Sequence, residues 1–203
     1  MLGDNAYNDG TQQDYDARFD PTLSPESAAW VENHVEYLGI GNHDLDTDGG
    51  QATSNNFSVP VPVEGVNSSA APPASESPEH NYSFDYGDVH FVTFDSDSRL
   101  DPNRLDAILD WVEDDLAVTS AQWKIVFTHN PIAGTPDKDV DPEHNYYQQV
   151  LPRLRAAGVD ILMVGDSHTY GWTYPLLGTD GSGNVTFVQD SDDNYDRVRG
   201  SSN

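Results

Sequence analysis

Cysteine is absent from the 203 residues, which excludes a disulfide framework and any thiolate metal site. Basic residues are scarce: nine Lys and Arg stand against 35 Asp and Glu, a net charge of -26. Lys124 and Lys138 are the only lysines. Nucleic-acid binding through a basic patch is therefore not expected, because phosphate neutralisation needs clustered cations. No apolar run is long enough to span a membrane, and no leader peptide is visible. The compartment is left open, with export from the cell one alternative.

What is present argues for a folded chain. With 36% hydrophobic and 10% aromatic residues, the sequence can bury one sizeable core, and a single domain over 1–203 is expected. The acid excess resembles that of proteins from salt-loving microbes, whose surface carboxylates stay solvated while salt screens their repulsion.

Four places break an apolar run with polar residues of ligand type. They are Gly3-Asp4-Asn5-Ala6-Tyr7, Gly41-Asn42-His43-Asp44, Phe127-Thr128-His129 and Gly165-Asp166-Ser167-His168. Each alone is weak, since Asn and Asp also form turns. Recurrence is what makes the pattern specific. Carboxylate, amide, imidazole and phenol groups delivered at separate strand ends suit hard cations, and two such cations would clamp the attacking and leaving oxygens of a phosphoryl transfer.

In order and spacing, these blocks resemble those of the calcineurin-like metallophosphoesterases, and the tyrosine in GDNAY is most similar to the purple acid phosphatase branch. The resemblance implies an α/β four-layer sandwich, two mixed sheets flanked by helices. It implies two metal ions, Fe(III) with Fe(II), Zn or Mn, and a small phosphorylated substrate. Asp4 would bridge both metals, Tyr7 and His168 would serve the first, and Asn42 and His129 the second. His43 would protonate the leaving group or hold the phosphate, with Asp44 orienting its ring. The implied reaction is hydrolysis of phosphate monoesters by in-line attack of a metal-bound hydroxide. Phosphodiesters or nucleotides are the alternative substrates, and a catalytically impaired metal-binding relic is the alternative role. Two departures stand out. The family's first aspartate block has no counterpart, so the sandwich is expected to lack its first strand, with a βα unit of about 30 or more residues lost upstream. Asp166 stands where a histidine is usual, either as a replacement ligand or as a broken one.

Along the chain, residues 4–20 read as a loop and short helix, with Asp9, Asp14 and Asp16 as surface charge. Residues 25–36 read as helix or turn, and 35–40 as a strand. The Pro- and Ser-rich stretch 46–79 reads as a long loop or insertion, and Asn56, Asn67, Asn81 and Asn184 begin glycosylation sequons. Two strands follow around Gly87 and Asp88, with His90 structural. Asp101 and Pro102 start a helix whose apolar face is Leu105, Ile108, Leu109, Val112 and Leu116, with Glu113, Asp114 and Asp115 solvated. Buried strands are expected at 124–128 and 159–164, separated by a helical region from Pro142, interrupted near Pro152 and closed by Gly158. His34 reads as structural or exposed and His144 as a surface histidine, and Tyr170 and Tyr174 as residues that line or support the site. After a turn at 178–184 a strand returns, and an acid within 190–193 is a candidate for the missing first-block carboxylate.

Overall fold

The computed structural model describes residues 1–60, 72–74, 76–131, 146–171, 176–179 and 185–187. A hairpin feeds two parallel strands. Aromatic and β-branched residues fill β1 (Tyr82–Tyr86) and β2 (Val89–Thr93), and Gly87, at φ 60, turns the chain between them. β3 (Trp123–Thr128) runs parallel to β2, and β4 (Ile161–Val164) parallel to β3, so the order is β1-β2-β3-β4. β5 (Leu176–Thr179) and β6 (Val185–Phe187) form a separate antiparallel pair, as the sequence predicts around 178–184. The architecture is α/β, a four-strand mixed sheet flanked by helices.

Helices α1 (Gln12–Phe19), α2 (Pro25–Asn33), α3 (Asn42–Leu45) and α4 (Gln51–Asn56) precede the hairpin; α5 (Pro102–Val118) joins β2 to β3, and α6 (Tyr146–Ala156) precedes β4. The Asp101 carboxylate accepts the Asn103 and Arg104 N–H groups at the start of α5. Its predicted stripe is buried against Val92, Phe94 and Val126 of the sheet side and Val150 and Leu154 of α6. Each such side chain contributes about 1.5–3 kcal/mol on burial, so this face holds α5 in place. A smaller cluster of Ala6, Tyr15 and Ala52 joins α1 and α4 to the first block. No helix among the described residues is long and apolar enough to cross a membrane.

Several expectations are corrected. Residues 35–40 form no strand; the pairing there is one parallel bridge, Leu2 to Gly39, and Val35 is 79% exposed. β4 is not buried on both faces: among the described residues it pairs with β3 alone, and Ile161 and Met163 are each 46% exposed while Leu162 packs on the core. α6 runs through Pro152 without interruption, because buried Val150, Leu151 and Leu154 on either side outweigh the lost hydrogen bond. Within 46–79 the chain forms a short 3-10 turn and α4. Asp115 is fully buried, not solvated. Asp14, read as surface charge, closes a capping box with Thr11 on α1. Asn81 is buried, its amide bonded to Ser77 and Asp95, which leaves no room for a glycan. Pro142, His144, Tyr174, Asn67, Asn184 and the acids at 190–193 lie outside the described residues.

Candidate metal centre

Strand register brings the polar blocks together. Thr128 of β3 is paired with Val164 of β4, so the next residues, His129 and then Gly165 and Asp166, emerge side by side, and the Gly165 N–H still bonds the His129 carbonyl at 2.9 Å. The Leu2–Gly39 bridge does the same for the other two blocks, placing Asp4 beside the turn that carries Asn42 and His43. Ligand sites at the carboxyl ends of parallel strands are what open α/β sheets favour.

Close approach requires glycine at two of these positions. A Cβ on Gly3 would lie 2.5 Å from His129 Nδ1, and one on Gly41 would lie 2.3 Å from the Asp4 nitrogen and 2.4 Å from its Oδ1. Asp4 and Asp166 themselves sit in the left-handed region, at φ 52 and φ 61, where a non-glycine residue is strained by about 1–3 kcal/mol. Asp166 is the centre of a tight turn closed by the Ser167 N–H on the Gly165 carbonyl at 2.7 Å.

Four side chains meet at one point. His129, 1% exposed, places Nδ1 against the Leu2 carbonyl at 2.7 Å, and its Nε2 faces Asp4 Oδ1 at 3.2 Å, Asn42 Oδ1 at 3.2 Å and Asp166 Oδ1 at 3.7 Å. A neutral ring that donates Nδ1–H to a carbonyl carries its lone pair on Nε2. Four acceptor atoms then converge with no donor among them. Ligand atoms about 2.1 Å from a cation stand about 3 to 3.5 Å from one another, so the spacing fits a metal better than a single shared proton. Asp4, His129 and Asp166 offer ligand atoms all within 4.8 Å of one another. Burial lowers the pKa of His129, but the Asp4 bond, the Leu2 carbonyl and the Asp4 and Asp166 charges outweigh it, and the net direction is upward. Burial likewise raises the Asp4 carboxyl, while bonds from His129, the His43 N–H and Tyr7 carry it below its ordinary value.

The remaining predicted residues divide. Tyr7 donates its hydroxyl to Asp4 Oδ2 at 3.0 Å, and burial and the Asp4 contact push its pKa up to about 12. His43 lies over Tyr7, ring centroids 4.7 Å apart, with Nε2 4.0 Å from Asp4 Oδ2. The Asn8 carbonyl, not Asp44, orients the His43 ring through Nδ1. Asp44 is fully buried, and its carboxylate is occupied by the Asn5, Ala6 and Gly41 backbone N–H groups, the Asn5 amide and the Tyr15 hydroxyl. It fastens the first block to the second. His168 is exposed and outside the trio of Asp4, His129 and Asp166, because the turn at Asp166 carries the following residues outward. Tyr170 is 93% exposed.

Sequence reasoning missed Asn8, Tyr15 and the pair Asp97 and Asn130.

A calcineurin-like phosphoesterase family model matches residues 1–170. The chain belongs to the calcineurin-like phosphoesterase family. Members are metal-dependent hydrolases of phosphoric esters and generally bind two metal ions. Comparison with curated proteins and with solved structures returned no match.

Proposed function

We propose that this calcineurin-like phosphoesterase is a phosphatase that hydrolyses phosphate monoesters at a dinuclear centre. Asp4, Asn42, His129 and Asp166 are its ligands, with Tyr7 serving the first metal, a ferric ion beside Fe(II), Zn or Mn, and His168 joining it by turning inward from its exposed position beyond Asp166. The reading rests on the acceptor atoms that converge on His129 Nε2, and the GDNAY tyrosine favours the acid phosphatase branch. Asp166 acts here as a working carboxylate ligand.

Bound cations would supply Lewis-acid charge for the phosphoryl oxygens and lower the pKa of the attacking water. The chain's own residues prepare the rest. The Leu2 carbonyl fixes the His129 tautomer and ring plane, as metal-binding histidines require. Asp44 holds the two loops in register without touching the reacting groups. His43, anchored at Nδ1 by Asn8, keeps Nε2 toward the open side of Asp4. From there a proton on Nε2 would pass to the leaving oxygen when the P–O bond breaks and the bonding electron pair stays on oxygen.

The test is metal analysis for Fe, Zn and Mn on the chain purified in high salt, followed by turnover of para-nitrophenyl phosphate and of its bis-ester. Nearly two metals per chain and faster monoester turnover are expected. Absence of bound metal would overturn the metal centre, and faster diester turnover would overturn the monoester assignment.

A further inference from the structure

We propose that Asp97 is an outer carboxylate of this centre, a positioning residue that acts on His129 through Asn130 and raises the centre's affinity for divalent cations. The inference rests on the metal-centre reading above. Asp97 lies on the 3-10 turn Ser96–Leu100 after β2, a segment that carries none of the four ligand blocks.

That turn is locked onto the end of β3 immediately beyond His129. The Asn130 N–H donates to Ser96 Oγ at 2.9 Å, the Ser96 hydroxyl donates back to Asn130 Oδ1 at 3.2 Å, and the Asn130 amide donates to Asp97 Oδ1 at 3.2 Å. Ser96 is fully buried and Asn130 is 5% exposed, so these bonds face little competition from water. The backbone on the far side of His129 is fixed by the Gly165 N–H. His129 is thus held from both sides, and Asn130 is the side on which a charge stands behind the clamp.

Asp97 is itself mostly buried, and Arg99 reaches it at 3.5 Å. Burial raises its carboxyl pKa, and the charges of Arg99, Asp95, His129 and Asp166 all act on it. A negative charge within the field of His129 and Asp166 attracts a cation placed between them. In a water-poor setting that attraction is screened less than at the surface. The device therefore has two parts, a hydrogen bond that aims the histidine and a charge that favours its cation.

Asp97→Asn separates the charge from the shape, because the amide keeps an Oδ1 for Asn130. Mn(II) is titrated into the metal-stripped full chain and followed by the EPR signal of the free ion. Asp114→Asn, on the solvent face of α5, serves as the control for net charge. Mn(II) affinity should fall about tenfold in Asp97→Asn and stay unchanged in Asp114→Asn, with the melting temperature of both close to that of the parent. Equal affinity in Asp97→Asn and parent would overturn the inference while leaving the metal centre standing, as would an equal fall in Asp114→Asn. No Mn(II) binding by the parent itself would overturn the metal-centre reading and this one with it.

Discussion

Among the described residues, two buried histidines turn both ring nitrogens toward oxygen acceptors, yet the spacing around them differs. His90 sits between Asp85 Oδ1 at 2.6 Å and Asp115 Oδ2 at 2.8 Å, one carboxylate per nitrogen. A neutral imidazole has one N–H, so two such short contacts require the doubly protonated ring. The proton is the cation there. Around His129, three oxygens share Nε2 at 3.2 to 3.7 Å, and one proton can satisfy only one of them. Short, paired contacts mark a structural clamp between β1, β2 and α5. Longer, convergent ones mark a place for a cation with several directions of coordination.

Removing each ring breaks this comparison in a different observable. His129→Ala should lower metal affinity more than about 100-fold, since even outer partners of metal ligands cost about 10–100-fold. Calorimetric titration with Mn(II) checks it, and undiminished affinity would place the cation elsewhere. His90→Leu should leave metal affinity intact and destabilise the fold by about 3 kcal/mol, because it strands the buried Asp115 with only the Ser83 hydroxyl, at 3.0 Å, for company.

The clamp also has a pH signature. Burial lowers the pKa of His90, but the bonds and charges of Asp115 and Asp85 outweigh it, so the folded-state value is raised. A raised value means that the folded state binds the proton more tightly than the unfolded one. The stabilisation is complete below the unfolded value of about 6.5 and is lost as pH rises through the folded value. The parent's melting temperature should therefore fall above pH 6.5 relative to that of His90→Leu, with the gap between them closing. A gap that widened toward alkaline pH would mean that the ring is neutral.

Much of this was legible in the sequence, and the failures share a cause. The stripe of α5 and the hairpin at Gly87 follow from periodicity and turn chemistry, which are local. The strand-end blocks were legible because polar residues interrupt apolar runs, and the structure brings Asp4, Asn42, His129 and Asp166 together. Asp44 and Asp115 were misjudged because their partners are distant: Asp44 bonds residues 29 and 39 positions away, and Asp115 bonds His90, 25 away. A charged residue on a helix reads as solvated until its partner is known. The apolar run 35–40 looks like a strand, but strand formation needs a neighbour, and among the described residues the pairing is confined to Met1 and Leu2. Asp97 carried no motif at all; its connection to His129 runs through Asn130 and through the field of its charge.

The smallest expected effect concerns the charges that neither histidine touches. Arg153 shows how few cations serve the surface, reaching Asp106, Asp110 and Glu113 at once. The 35 acids share nine Lys and Arg, and the repulsion of the excess acts through solvent. Raising salt from 0.1 M to 1 M shortens the screening length from about 10 Å to about 3 Å. The melting temperature should rise by several degrees, and by nearly the same amount in parent and His90→Leu, because the exposed acids respond to salt far more than the buried His90–Asp115 pair. A salt response that disappeared with His90 would mean instead that the clamp, not the surface, carries the electrostatic strain of this acidic chain.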